Sequence, residues 1–473
     1  MFHRKMKKVI YFFLVSCIVL ACSNTHKKID TSAVSQSDSL SISLPTQITF
    51  NEHVAKVIYQ NCGNCHRKGA TAPFPLTNYA EVYRKKRTIA KVVEKGIMPP
   101  WPADASYSHF VGEMLLSNYD KQLIVEWVNQ GAKEGEEKFH INFPEFPEGS
   151  QIAKPDLVLK MPKKFLLKGN NKDNYWIMKI PFEIPKSQYV KTIEFVPGNR
   201  KLVHHVNGYM VVYDEHQKKN VNDGALVVPN YEYTLAEAWK KLKIANDDGS
   251  FPMRIPSVTN YLPGVTPALY PEGIGGFEMK RKGAILLYDI HYGPTPVDAF
   301  DQSTFNIFFS KEAPKRKIKE FQLGTYGLSK ITPELMVPPD SIKTFYTQYT
   351  LTEDMSLLTI NPHMHLLGKE FVAYAVTPEN KKINLIRIPK WDFRWQYFYT
   401  FPKMLVLKKG STIYVEATFD NTKANPNNPF SPPKWVGARD GSMSTKDEML
   451  QFIITYLPYQ TGDENRSLAK PIL

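Results

Sequence analysis

The run C-G-N-C-H, residues 62 to 66, has the residue types to hold a haem covalently. Two thiols spaced by two residues suit thioether bonds to the two haem vinyl groups, and the next residue, His66, is placed to ligate the iron. A thioredoxin-like redox pair or half of a zinc site would also use Cys62 and Cys65. Neither fits, because the chain holds no further cysteine pair and no strand-helix-strand pattern surrounds the motif. The sixth iron position calls for a thioether or a second imidazole. Met98, in E-K-G-I-M-P-P-W-P-A-D, follows a helix end in a loop stiffened by two prolines and is the first candidate; His109 and Met114 are rivals.

A second set of chemistry-bearing residues lies in β-like runs. K-L-V-H-H-V-N-G-Y-M-V-V-Y-D, residues 201 to 214, reads as a strand with two adjacent histidines, His204 and His205. Neighbours in a strand point to opposite faces, so two adjacent imidazoles on one ion require a strand end, a bulge or strong twist. The bland alternative is one core and one surface histidine. The other histidines weigh against it. Of the 12 in the chain, six follow residue 150, and His291, His363 and His365 also fall in apolar runs. The spacing of His363 and His365 predicts one strand face, a good geometry for two imidazoles on one ion. Imidazole suits copper, zinc, iron or nickel. His216, in Y-D-E-H-Q-K-K-N, reads as an exposed turn.

The elements that must position these residues divide the chain. Asn51 can cap a helix bearing Val54, Val57 and Ile58; a second helix covers about 78 to 95 and stops at Gly96; a third begins at Ser117 and ends at Gly131. Residues 136–155, rich in Glu, Phe and Pro, read as a linker. From about 156 onward, short β-like runs alternate with turn residues, the spacing of β-sandwiches. The charged stretch K-E-A-P-K-R-K-I-K-E predicts a boundary near 310 to 320, and A-E-A-W-K-K-L-K a local helix or loop insertion.

The N-terminus predicts export. H-R-K-M-K-K is followed by an apolar run too short to span a membrane comfortably, and V-L-A-C, residues 19 to 22, resembles a bacterial lipobox. Cys22 then becomes the lipidated N-terminus, and the Ser-rich residues after it form a flexible tether. Loss of the leader takes the formal charge from +14 to +10. The lysines are scattered, with no basic tract that predicts nucleic-acid binding.

H-H-V, then H-Y-G, then H-x-H-L-L-G-K, then D-E-M before an apolar strand: in order and context these resemble the copper type II, ascorbate-dependent monooxygenases, over residues 155 to 473. The resemblance implies two jelly-roll-like domains with one copper each. His204, His205 and His291 match the electron-transfer copper; His363, His365 and Met449 match the copper where oxygen binds. Met443 does not open the apolar strand and is the weaker thioether. Thioether favours Cu(I), so a site of two histidines and one methionine can hold reduced copper open for O2. There are departures. Asn361 stands where peptide-amidating members carry the Arg that grips a substrate carboxylate. Gln451 and Ile453 replace their Asn and Tyr. The family's disulfides have no cysteines here. A C-terminal glycine peptide is therefore a poor guess for substrate.

The expected architecture is multidomain, a small all-α cytochrome c domain followed by two all-β sandwich domains. Its segments are leader 1–21, tether 22–48, cytochrome c domain 49–135, linker 136–155 and sandwiches 156–315 and 316–473. The expected function is hydroxylation of a C–H bond by an exported, membrane-anchored lipoprotein facing the periplasm or cell surface. It would use one covalent haem c and two copper ions, O2, a small-molecule or peptide substrate and an upstream electron donor. The alternative is a non-catalytic electron-transfer or copper-binding lipoprotein.

Overall fold

The protein is described here by a computed structural model covering residues 43–469, except 148, 231, 266 and 440–443. The leader, the lipid-acceptor Cys22, most of the tether and Met443 lie outside the described residues.

The first part of the described chain is helical. A π-type turn, Phe50–Val54, runs into α1 (Ala55–Asn61), followed by α2 (Tyr79–Glu94) and α3 (Asn118–Asn129). The ends of α2 and α3 have local causes. The side chains of Asn78 and Ser117 accept the N–H groups of Glu81 and Asp120, which the first helical turn leaves unpaired. Beyond the other ends, Gly96 and Gly131 take φ of +63° and +92°, a region that favours glycine. Asn51 is not the expected cap. Thr49 holds the N-cap position, and the buried Asn51 amide instead donates to Glu136 O at 3.3 Å. Trp127 of α3 is fully buried, packs on Phe50 and donates Nε1–H to Lys133 O at 2.9 Å.

The rest of the chain is mainly antiparallel sheet. In the first half, one sheet runs in the order Val227–Pro229, Asn174–Glu183, Lys282–Tyr292, Val203–Tyr213, Met253–Tyr261. A second runs Leu157–Lys160, Thr304–Phe309, Gln188–Val196, Phe277–Met279. They share a core in which Phe182 and Ile285 of one meet Phe195 and Phe305 of the other. The opposite face of the five-stranded sheet is also covered: Val211 and Leu286 pack with Ala238 and Leu242 of α4 (Leu235–Leu242). Burial on both faces explains why its central strands read as continuous apolar runs.

The second half repeats the plan. A four-stranded sheet runs Lys319–Gly324, Gln451–Pro458, Met355–His363, Tyr399–Leu407. A five-stranded sheet runs Ile331–Thr332, Ile342–Thr350, Thr412–Asp420, Gly368–Val376, Lys382–Ile388. Alternate residues of Thr412–Asp420 are buried, the period expected of a strand with one face on a core. Between the halves, Arg316 grips the buried Asp463 carboxylate through both terminal nitrogens, at 2.6 and 2.8 Å.

Residues 45–473 form one compact unit. The stretch after α2 lies along the second sandwich. Val111 N–H donates to Thr400 O, Asp104 N–H to Arg387 O and the Tyr397 hydroxyl to Pro100 O, each at 2.8 Å. On the other side, the Thr71 hydroxyl donates to Arg200 O at 2.8 Å. The helices are therefore tied to both sandwiches.

Candidate functional site

His291 sits in the strand Lys282–Tyr292, paired on one side with Tyr175 and on the other with His205. The register of the His205 side shifts between Val203 and His205, so His204 occupies a bulge. The bulge breaks the up-down alternation and lets both adjacent imidazoles face one point. The ligand atoms of His204, His205 and His291 all lie within 4.8 Å of one another.

Outer partners set the ring orientations. His205 Nε2–H donates to Asp289 Oδ2 at 2.9 Å, and His291 Nε2–H to Asp173 Oδ1 at 2.7 Å. Asp173 is held low by its bond to His291, and Asp289 is held low by His205 against the effect of burial, so both carboxylates are acceptors. The Nδ1 lone pairs are thereby left facing inward. His291 Nδ1 is buried with no hydrogen-bond partner, and His204 Nδ1 is 3.3 Å from His205 Nδ1. Two nitrogens each about 2.0 Å from one ion at a tetrahedral angle sit about 3.3 Å apart, so the set fits a metal. Burial, with the neighbouring His291 and His205, pushes His204 down to about 3, and burial lowers His291. Neutral rings are the ligating form. Tyr175 stacks on His291 at 4.3 Å and 10°.

The second pair is arranged differently from the expectation. The strand Met355–His363 ends at His363, and His365 lies in the turn beyond it, so the two do not share a strand face. Their rings stand 5.0 Å apart at 87°. His363 Nδ1 bonds Gln396 Oε1, leaving its Nε2 for a ligand, and His365 Nδ1 donates to Asp447 O at 2.9 Å. Burial, helped by His365, pushes His363 down to about 3.

Met449 is buried just before the strand Gln451–Pro458, in which Gln451 pairs with His363. The wholly buried Glu448 joins the two segments, accepting N–H groups from Leu367 (2.7 Å), His365 (3.0 Å) and Met449 (3.3 Å). Burial pushes its carboxyl up to about 8 against the pull of those amides. Gly368 makes room for Trp391: a Cβ there would lie 2.5 Å from Trp391 Cδ1, and the indole N–H of Trp391 donates to His365 O at 3.2 Å. Two histidines and a thioether would make a donor set suited to Cu(I), and Glu448 ties the backbone of Met449 to that of His365.

His363 and His365 line a cavity of about 490 Å³ between the sandwiches, which the first group meets only through its neighbours Asp289 and Tyr175. The first sandwich contributes Tyr175, Asn207, Asn230, Tyr288 and Asp289; the second contributes Asn361, His363, His365, Gln396 and Gln451. Phe393 also lines it, 6.2 Å from the His205 ring and 5.7 Å from the His365 ring.

Cys62 and Cys65 are free thiols, and burial raises both, Cys62 to about 12. His66 Nδ1 donates to Phe74 O at 3.0 Å, leaving Nε2 for a ligand. Two free thiols beside an imidazole fixed through its outer nitrogen fit a covalently attached haem. Of the sixth-ligand candidates, His109 is exposed and bonded to Glu113. The Met114 sulfur and Cys65 sulfur crowd the same glycine: a Cβ on Gly264 would lie 3.1 Å from Cys65 Sγ and 4.0 Å from Met114 Sδ. Met98 is half-buried at the start of the Pro-Pro turn.

Sequence reasoning missed the residues that hold the ligands in place. Asp289 carried a signal, an acid in the otherwise apolar run A-I-L-L-Y-D-I-H-Y; so did W-D-F-R-W-Q-Y-F-Y, residues 391–399, with six aromatics in nine positions. Asp173, in a polar turn, carried none.

The fold and site define a protein of two β-sandwiches with a three-histidine cluster able to hold a metal ion. Residues 322–464 match the family model of the copper type II ascorbate-dependent monooxygenase, C-terminal domain. That domain marks the chain as an oxidoreductase of the copper monooxygenase class. Among curated proteins, none matches the chain.

Proposed function

We propose that this chain hydroxylates a C–H bond with O2, using one copper at His204, His205 and His291 and a second at His363, His365 and Met449. The observation that carries this reading is that three histidines converge on one point and that Phe393 packs against both ligand groups, 6.2 Å from the His205 ring and 5.7 Å from the His365 ring. Bound copper supplies one-electron redox chemistry and the activation of oxygen. The chain's own residues do the rest. Asp173 and Asp289 keep Nε2 protonated on two rings so that Nδ1 faces the ion. Gln396 and Asp447 O orient the second pair. Glu448 holds the His365 turn against Met449. The cavity offers a substrate the amides of Asn207, Asn230, Asn361 and Gln451 and, among its described lining residues, one cation, Lys446.

In the same reading, residues 49–135 are a cytochrome c domain in which Cys62 and Cys65 would attach a haem, His66 would ligate its iron and Met98 or Met114 would be the other protein ligand. A haem bound there would supply one-electron transfer from an upstream donor toward the three-histidine group. Cys22 anchors the exported protein to a membrane.

Elemental analysis of the full chain, matured with haem, loaded with copper and desalted, tests the proposal. Two copper ions per haem iron are expected, falling to one when His204 and His205 are both replaced. A ratio near zero overturns it. Met449→Leu should abolish hydroxylation while haem redox persists.

A further inference from the structure

The segment 391–399 runs from the three-histidine group to the loop that follows Met98, and its aromatic rings line that way. The Trp395 ring centre is 6.2 Å from that of His204. Trp395 lies parallel to Tyr397, 6.2 Å away at 8°. Tyr397 is 2 % exposed, packs on Trp101 at 5.3 Å, and donates its hydroxyl to Pro100 O. Trp101 and Pro100 belong to the loop that follows Met98. Tyr397 lines a second cavity together with Trp101, Met114 and Gly264. A Cβ on Gly264 of the first sandwich would lie 3.1 Å from Cys65 Sγ.

We propose that Trp395 and Tyr397 form the electron route from a haem at Cys62, Cys65 and His66 to a copper at His204, His205 and His291. This rests on the haem and copper reading above. One electron leaves ferrous haem, which becomes ferric, and reduces Cu(II) to Cu(I). No bond forms or breaks. The rings are not themselves oxidised; they supply a packed path through which the two centres couple.

A structural role alone would also explain why these rings are packed, so the test must read transfer itself. The full chain, loaded with haem and copper and fully oxidised, is given less than one equivalent of electrons anaerobically by a photochemically generated reductant. The ferrous haem band is followed as it decays, and the Cu(II) EPR signal as it is lost. Trp395→Leu should slow the internal phase by roughly tenfold or more, equivalent to about 1.4 kcal/mol of barrier. Trp395→Phe, which keeps a ring, should restore most of the rate. Haem midpoint potential and copper content should match the parent in both variants. Should Trp395→Leu fail to fold, Tyr397→Leu is expected to show the same slowing.

Transfer at the parental rate in a leucine variant that holds both cofactors overturns the route and leaves the haem and copper reading standing. A parent protein with no covalent haem or no Cu(II) signal overturns that reading, and the route with it.

Discussion

Replacing Glu448 by alanine should cost the second sandwich far more than an ordinary truncation. The side chain is 0 % exposed, and its two oxygens accept three backbone N–H groups, from His365, Leu367 and Met449. None of those amides has another partner within reach of the sheet ladder, because His365 and Leu367 lie in a turn and Met449 precedes its strand. A buried donor left unpaired costs about 1–3 kcal/mol, and water entering the space recovers part of the sum, so a loss of about 3–6 kcal/mol is expected. Against a domain stability of about 5–15 kcal/mol, that is a large share. Glu448→Gln keeps one acceptor oxygen but turns an NH2 group toward an amide, and should fall between the two. Urea unfolding of the copper-free protein, followed by tryptophan fluorescence, measures the loss. Copper titration gives a second readout: the pair His363 and His365 should bind about 10–100-fold more weakly, as expected when the groups holding metal ligands are removed, with the three-histidine group unchanged. An alanine variant within about 0.5 kcal/mol of the parent, the range of a surface substitution, refutes the claim that this carboxylate joins the two segments.

Asp289→Asn removes the anion that fixes the His205 tautomer, and equilibrium dialysis against a copper chelator should show about 10–100-fold weaker binding at the three-histidine group only. Asp463 gives a pH signature. Burial raises its carboxyl, but Arg316, Ser356 and Gln460 N–H outweigh that and bring it down to about 2 from the ordinary 3.8. A depressed folded value means the stability is fully present above the unfolded value and is lost as pH falls from about 4 through 2. The gap is worth about 2 kcal/mol. Asp463→Asn should flatten this acid slope in urea unfolding. It should also cost about 3–5 kcal/mol at neutral pH by leaving the Arg316 charge buried and alone.

The chemistry-bearing residues could be named from the sequence because their signals are local. A C-x-x-C-H run needs five consecutive residues, and an Asn or Ser before a helix needs only the next three. The same holds for the division into a helical part and two runs of short strands, since strand and helix periods show within a dozen residues. That two adjacent imidazoles on one ion need a strand end, a bulge or strong twist followed from strand geometry alone, and a register shift lies at that place.

Only the tertiary structure decided what surrounds those residues. Asp173 meets His291 across 118 positions of chain, Glu448 meets His365 across 83, and Gln396 meets His363 across 33. That the segment 391–399 runs beside His204, His205, His363 and His365 appears in no local pattern either. The end of the strand at His363, which the i, i+2 spacing did not reveal, belongs with these. Such contacts depend on which strands pair, in which register, and how two sandwiches and a set of helices pack. Those are settled by the summed burial of whole faces, and no single stretch of sequence carries that sum.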